Sequence, residues 1–139
     1  MCTSNTMVAS SDSSAPIRAK NVSRLVLIED DENVRRSTTM MLRARGYKVD
    51  AYRTGTEFLL NARDHGCDCL LIDYKMPRVD GLEVMRRLRG TEDQTPAIMI
   101  TGFYSETLRN KALSAGFSDV LEKPALPNSL VEMIQKTVN

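Results

Sequence analysis

The feature that most constrains this chain is a regular alternation of short apolar runs with helical patterns from Arg24 onward. The first run, RLVLIE, is continuously apolar between charged residues, which is typical of a strand buried on both faces. Comparable strands are predicted at YKVDAY, CLLID, AIMIT and SDVLE, each followed by a helical segment. Five strands that alternate with five helices predict the α/β class, with a doubly wound parallel sheet covered on both faces.

The helical segments carry recognisable start and stop signals. Candidate N-caps are Asp31, Thr54 and Ser105, and Thr54 has Glu57 three residues later, as in a capping box. Gly46 and Gly66 are the predicted ends of the first two helices. The first helix should bury a stripe of Val34, Thr38, Met41 and Leu42. The last three should bury Val84, Met85, Leu88, Leu108, Ala112, Ala115, Leu130, Ile134 and Val138.

Length and composition indicate one globular domain with an unstructured N-terminal tail. The chain has 139 residues, and residues 1–22 are rich in Ser, Thr and Asn without an apolar period. We therefore expect a disordered tail over 1–22 and a folded domain over 23–139. A net charge of +1 gives no basic excess for nucleic-acid binding, and no run approaches the roughly 18 apolar residues of a membrane span.

The three cysteines predict a reducing compartment rather than a disulfide framework. Cys2, Cys67 and Cys69 are odd in number and no secretory signal accompanies them, so we expect a cytoplasmic protein. HGCDC, at residues 65–69, offers three soft ligands at crowded spacing without a second cluster, which disfavours a zinc site. We expect Cys67 and Cys69 to point inward from one face of a strand.

Polar residues collect where the predicted strands end. Glu29 and Asp30 end the first strand, Asp73 the third and Thr101 the fourth, and Lys123 follows the fifth. Carboxyl ends of parallel strands share one edge, where such sheets bind ligands. Acids at strand ends often only cap helices, but this combination on four strand ends favours a binding site. Clustered carboxylates without His or Cys predict a hard divalent cation, Mg²⁺, for which Mn²⁺ can substitute.

Four segments, LIEDDENVR, LLIDYKMPRVDG, IMITG and LEKP, stand in an order and spacing that resemble one family. From about Arg24 to its C-terminus the chain resembles the CheY-like receiver domain of two-component response regulators. The resemblance implies the flavodoxin-like strand order 2-1-3-4-5 and a role in phosphorelay signalling. It also implies that Asp73 is the phospho-acceptor, and that Glu29, Asp30, Asp73 and the backbone carbonyl of Lys75 hold Mg²⁺.

The resemblance further implies that Lys123 pairs with a phosphoryl oxygen, that its bond to Pro124 is cis, and that the Thr101 hydroxyl moves to the phosphate. One position departs from the family: many relatives carry Tyr or Phe three residues before the lysine, where this chain has Val120. Phe103 or Tyr104 could then contribute to the switch. Lys75 and Phe103 occupy the variable positions that border the path of the attacking water in the family.

As a receiver, the chain should accept phosphate from a histidine kinase or histidine phosphotransferase. Because it stops at Asn139, we expect a stand-alone receiver, monomeric or dimeric on phosphorylation, that acts on an unknown downstream protein or in a phosphorelay. It would modify and dephosphorylate only itself, and is not expected to be an enzyme.

A phosphate sink is the alternative. A phosphatase of the aspartyl-phosphate type would need a second Asp two residues after Asp73, but this chain has Lys75 there. A flavin carrier would need a phosphate-binding loop after the first strand, but this chain has the acidic segment EDDEN there. Arginines 86, 87 and 89 are expected on the wet side of the third helix.

Overall fold

The computed structural model describes residues 23–62 and 66–138 of the chain. The predicted tail, residues 1–22, lies outside the described residues. The elements are β1 (Arg24–Ile28), α1 (Glu32–Ala44), β2 (Lys48–Tyr52), α2 (Gly55–Asn61), β3 (Cys69–Asp73), α3 (Gly81–Arg89), β4 (Ala97–Thr101), α4 (Glu106–Ala115), β5 (Asp119–Glu122) and α5 (Pro127–Val138).

All five strands form one parallel sheet in the order β2-β1-β3-β4-β5, which confirms the predicted fold class and strand order. The register aligns the carboxyl ends of the central strands. Ile28 of β1 pairs with Ile72 of β3, so Glu29 follows its strand at the level of Asp73. Asp73 in turn pairs with Ile100, next to Thr101 at the end of β4.

Alternation along the strands divides the core between the two faces of the sheet. Val26 and Ile28 of β1 belong to the cluster beneath α2, α3 and α4, whereas Leu25 and Leu27 belong to the cluster beneath α1 and α5. β3 is buried at every position because it lies at the centre of the sheet and is covered on both faces. Each fully buried aliphatic side chain contributes about 1.5–3 kcal/mol, so these two layers account for much of the stability.

The predicted helix caps are confirmed by hydrogen bonds of the capping side chains. Asp31, Thr54 and Ser105 each accept the backbone N–H three residues later, at 3.0 Å. Asp80 caps α3 in the same way at 2.9 Å. Gly46 follows α1 with a φ of 99°, a left-handed conformation that suits glycine at the end of a helix. The predicted apolar faces of α3, α4 and α5 are buried, with Ala115 and Val138 only partly covered.

The predicted buried stripe of α1 is partly wrong. Val34 is exposed, whereas Thr39 and Leu42 are buried and Thr38 and Met41 are only partly covered. Val34 lies in the first turn of α1, close to the point where the chain leaves β1, so little of the sheet lies beneath it. Burial begins further along the helix, where it packs against the sheet.

Two further details of the chain differ from expectation. α2 ends at Asn61 rather than near Gly66, and residues 63–65 lie outside the described ranges. Cys67 and Cys69 do not share a strand face: β3 begins only at Cys69, which packs in the α1/α5 cluster, whereas Cys67 packs against the opposite cluster. Burial raises the pKa of both thiols to about 12, so neither is a reactive thiolate at neutral pH.

Only two of the three arginines of α3 lie on its solvent-exposed face. Arg86 and Arg87 are exposed and pair with Glu83, but the side chain of Arg89 is only 17% exposed. Arg89 donates to the carbonyl oxygens of Asp93, Thr95 and Gly116 at 2.8, 2.8 and 3.0 Å. It therefore ties α3 to the start of β4 and the end of α4. Within the described ranges, no helix has the length and apolarity that a bilayer crossing requires.

Candidate functional site

Three carboxylates from β1 and β3 converge at the carboxyl edge of the sheet. One oxygen from each of Glu29, Asp30 and Asp73 lies within 4.8 Å of the other two. Glu29 and Asp73 are buried, at 3% and 6% exposure, whereas Asp30 faces solvent. The structure thus brings together the three acidic side chains that the sequence predicts as metal ligands.

Lys123 connects the two buried acids. Its ammonium group donates to Glu29 Oε1 at 2.8 Å and lies 3.4 Å from Asp73 Oδ1. Burial alone would lower the pKa of Lys123, but the hydrogen bond to Glu29 and the charge of Asp73 outweigh burial and raise it. Lys123 is therefore a fixed cation beside Asp73. Its peptide bond to Pro124 is cis, as predicted.

Asp73 is held in a state that resists ionisation. Burial and then the charge of Glu29 raise the pKa of Asp73 from its ordinary value of 3.8 to about 7, although Lys123 works in the opposite direction. Ionised Glu29 and ionised Asp73 repel each other across a site that Lys123 neutralises only once. A second cation would favour the carboxylate form of Asp73.

The donor set fits a hard divalent cation. The three clustered groups are all carboxylates, without imidazole or thiolate among them. Mg²⁺ and Mn²⁺ prefer such oxygen ligands, and one exposed acid beside two buried ones leaves a solvent side for water ligands. The ligand role of the Lys75 carbonyl remains a prediction.

Thr101 is fully buried beside this cluster, at the end of β4. Its Oγ1 accepts a hydrogen bond from the backbone N–H of Phe103 at 2.9 Å, so its own hydroxyl proton remains available for donation. The Phe103 ring is exposed, and the ammonium of Lys75 lies 4.9 Å from the ring centroid. The two variable positions singled out in the sequence thus contact each other by a cation–π interaction.

Val120, at the position where many family members carry Tyr or Phe, packs in the core. Val120 is 6% exposed and belongs to the α2/α3/α4 cluster. Tyr104 is half-buried against the same cluster, and its hydroxyl donates to Glu106 at 3.1 Å. The proximity of Tyr104 to this cluster is consistent with the hypothesis that it contributes to the switch, but its role remains a prediction.

Two glycines frame the site, and their surroundings differ. A Cβ added to Gly81, at the start of α3, would lie 2.7 Å from the carbonyl oxygen of Asp73. A Cβ added to Gly102, after β4, would meet nothing within 4 Å. The backbone beside Thr101 therefore has open space, whereas α3 lies in tight contact with the Asp73 backbone.

A second feature without a sequence-based prediction is the contact of Arg35 with the site. Arg35, at the end of the first turn of α1, donates through Nη1 to the carbonyl oxygens of Glu29 at 3.0 Å and Asp30 at 3.4 Å. An arginine less than two helical turns after paired acids is the signal that could have identified it.

Fold and site together define a class of protein: a doubly wound α/β domain with an acidic cluster and a lysine at the strand carboxyl ends. The family profile described as "Response regulator receiver domain" matches residues 25–135. The chain therefore belongs to the receiver domains of two-component response regulators.

Known relatives agree with this membership. Response regulator MprA of Mycobacterium tuberculosis (strain H37Rv) is 40% identical over 111 residues, which are 79% of this chain and 48% of MprA. This chain thus spans about half the length of the curated relatives it matches. The FixJ-N crystal structure matches with a TM-score of 0.79 and 30% identity, over 85% of this chain and 94% of that one. A CheY-like receiver domain protein from Methanospirillum hungatei JF-1 has a TM-score of 0.79 and 27% identity, with the same coverage.

Proposed function

We propose that Asp73 accepts a phosphoryl group from a histidine kinase or histidine phosphotransferase in a Mg²⁺-dependent reaction. The observation that carries the proposal is the approach of three carboxylates within 4.8 Å, two of which contact Lys123. Glu29, Asp30 and Asp73 would hold the ion, together with the Lys75 carbonyl. When bound, Mg²⁺ supplies positive charge that offsets the charge of the transferring phosphoryl group.

The chain's own residues divide the remaining work. A carboxylate oxygen of Asp73 attacks phosphorus as the phosphorus–nitrogen bond of the phosphohistidine breaks, and that bonding pair leaves with the imidazole. The product is a mixed acyl phosphate on Asp73, which water later hydrolyses to carboxylate and inorganic phosphate. The ammonium of Lys123, 3.4 Å from Asp73 Oδ1, is placed to bind a new phosphoryl oxygen.

Thr101 provides the link from the modified acid to the rest of the domain. Its oxygen accepts from Phe103 N–H, and because a hydroxyl can accept and donate at once, its proton can be donated to a phosphoryl oxygen while that bond is kept. The new contact would draw β4 and the loop after it towards Asp73. The surface of α4 and β5 would then take one of two arrangements according to the state of Asp73.

The proposed output is phosphorylation-dependent binding of a downstream protein, or transfer of phosphate along a relay, in the cytoplasm. The domain would act only on itself and would not be an enzyme for a separate substrate. A phosphate sink without a protein partner is the second candidate. A phosphatase of the aspartyl-phosphate type is disfavoured, because position 75 carries a lysine whose ammonium lies over Phe103 rather than an acid.

Phosphorylation by a small donor tests the acceptor directly. The wild type, Asp73→Asn and Asp50→Asn are incubated with acetyl phosphate and Mg²⁺, and intact mass is measured. Asp50 is an exposed acid on the edge strand β2 and serves as the control. We expect one added phosphoryl group on the wild type and on Asp50→Asn, and none on Asp73→Asn or in the presence of EDTA. Equal modification of Asp73→Asn would reject the proposal.

A second measurement separates signalling output from a sink. The wild type is treated with beryllofluoride, a stable mimic of the phosphoryl group, and used to retrieve partners beside untreated protein. A protein retained only by the treated domain would support an adaptor or relay role, whereas identical profiles would favour the sink.

A further inference from the structure

The loop between β1 and α1, which carries Glu29 and Asp30, is held by a side chain from the helix that follows it. Arg35 is half-buried, and its Nη1 contacts two successive backbone carbonyls, those of Glu29 and Asp30. Its own backbone N–H donates to the carbonyl of Asp31 at 2.8 Å, within the first turn of the helix. One residue therefore contacts the carbonyls of three consecutive residues at this turn.

These contacts hold the peptide groups on both sides of Asp30. The peptide before Asp30 contains the Glu29 carbonyl, and the peptide after it contains the Asp30 carbonyl; both carbonyls accept from Arg35. The second peptide is also held at its other end, because the N–H of Asp31 donates to Glu29 Oε2 at 3.1 Å. With both peptide planes held, the direction in which the Asp30 side chain leaves the backbone is largely determined.

Asp30 depends on such backbone support more than its neighbours in the cluster. Glu29 and Asp73 are buried and contact Lys123, whereas Asp30 is exposed. Within the described ranges, no hydrogen bond to the Asp30 carboxylate is present, so its backbone is what fixes its position. Groups outside the ligand set that orient ligands commonly account for part of a protein's metal affinity.

We propose that Arg35 is a positioning residue for the metal cluster: it fixes the β1–α1 loop so that the Asp30 carboxylate is directed towards Glu29 and Asp73 before a cation arrives. This inference rests on the proposed function, because it assumes that the three acids bind a divalent cation. It assigns a role in that site to a residue that binds neither the cation nor the phosphoryl group.

The direction in which one substitution changes the affinity for a divalent cation distinguishes a positioning role from a purely electrostatic one. If Arg35 acted only as a nearby positive charge, its neutralisation in Arg35→Met would strengthen the binding of a divalent cation. If Arg35 positions Asp30, the same substitution weakens binding, because the loop must then be ordered when the cation binds. The two explanations therefore predict opposite shifts in the dissociation constant.

The experiment measures Mn²⁺ binding to the unphosphorylated full chain by electron paramagnetic resonance of free Mn²⁺. We expect Arg35→Met to raise the dissociation constant about tenfold, a typical effect for groups that orient metal ligands. Arg35→Lys keeps the charge and one donor, and should recover part of the affinity. The matched control is Arg36→Met, because Arg36 is 72% exposed and pairs with Glu32 on the same helix. Its removal should leave Mn²⁺ affinity unchanged.

The remaining outcomes are separable. If the wild type does not bind Mn²⁺, or if Asp30→Asn binds as tightly as the wild type, the proposed metal site itself fails. If the wild type binds and Arg35→Met binds equally or more tightly, the role of Arg35 is overturned and the metal site stands. Urea unfolding in EDTA shows whether Arg35→Met folds; if it does not, Arg35→Lys decides, and an affinity equal to that of Arg36→Met would reject positioning.

Discussion

Replacement of Asp73 by asparagine should stabilise the metal-free protein, and the gain should grow as pH rises from 3.8 to about 7. The carboxyl of Asp73 is buried beside Glu29, and its pKa is raised from 3.8 to about 7. Ionisation of this group in the folded protein is therefore unfavourable. Asparagine has nearly the same shape and carries no charge, so Asp73→Asn removes the cost of ionisation and leaves Lys123 paired with Glu29.

The direction of the pH dependence follows from proton binding. Between pH 3.8 and about 7 the folded protein keeps a proton on Asp73 that the unfolded chain has released. The free energy of unfolding contributed by this group therefore falls as pH rises through that window and levels off above about pH 7. Asp73→Asn lacks this decline, so the difference between the two proteins opens with rising pH.

The size of the effect is bounded by the shift in pKa. A change from 3.8 to about 7 corresponds to at most about 4 kcal/mol at about 1.4 kcal/mol per pH unit. Water and side-chain rearrangement at the open edge of the site reduce this bound, and we expect about 2 kcal/mol at pH 8. At pH 4.5 Asp73 is protonated in the folded state, and most of the difference should be absent.

The assay is urea unfolding followed by circular dichroism, at pH 4.5 and pH 8, in EDTA and in excess Mg²⁺. Asp30→Asn is the control, because it removes the same charge from the same cluster at an exposed position. It should stabilise the metal-free protein less than Asp73→Asn does. In Mg²⁺ the wild type should recover stability that Asp73→Asn does not. Equal stability of wild type and Asp73→Asn at pH 8 in EDTA would refute the reasoning.

The remaining predictions concern three side chains around the site. Lys75→Ala removes the cation over Phe103, and we expect faster loss of phosphate from the modified protein, measured by the decay of intact mass; an unchanged rate would count against the contact. Arg89→Met removes hydrogen bonds to three backbone carbonyls and should cost about 2–3 kcal/mol in urea unfolding, whereas exposed Arg87→Met should cost little. Tyr104→Ala should alter partner binding by the beryllofluoride-treated protein while phosphorylation of Asp73 is retained. Equal partner binding by wild type and Tyr104→Ala would reject a role of Tyr104 in the switch.

The sheet was predictable because each strand carries its own evidence. CLLID is apolar at every position before its acid, which is typical of a strand covered on both faces, and β3 is that strand. The order of the strands was a different matter. Apolar periodicity does not state which strands are neighbours, so the order 2-1-3-4-5 came from the family resemblance alone.

The residues of the site were likewise predictable only in part. Glu29, Asp73 and Lys123 could be placed together because parallel strands have their carboxyl ends at one edge. Arg35 could not, since its contacts depend on the path of the loop and not on its position in an amphipathic pattern. Val34 was misplaced for a related reason: helical periodicity shows which residues share a face but not where along the helix the sheet begins.

The unequal glycines on either side of Asp73 have a mechanical consequence. At Gly81 the backbone of α3 lies so close to the Asp73 carbonyl that not even a methyl group fits, whereas Gly102 opens onto free space. Movement of Asp73 towards α3 would therefore meet backbone at once, whereas the backbone after Thr101 has open space beside it.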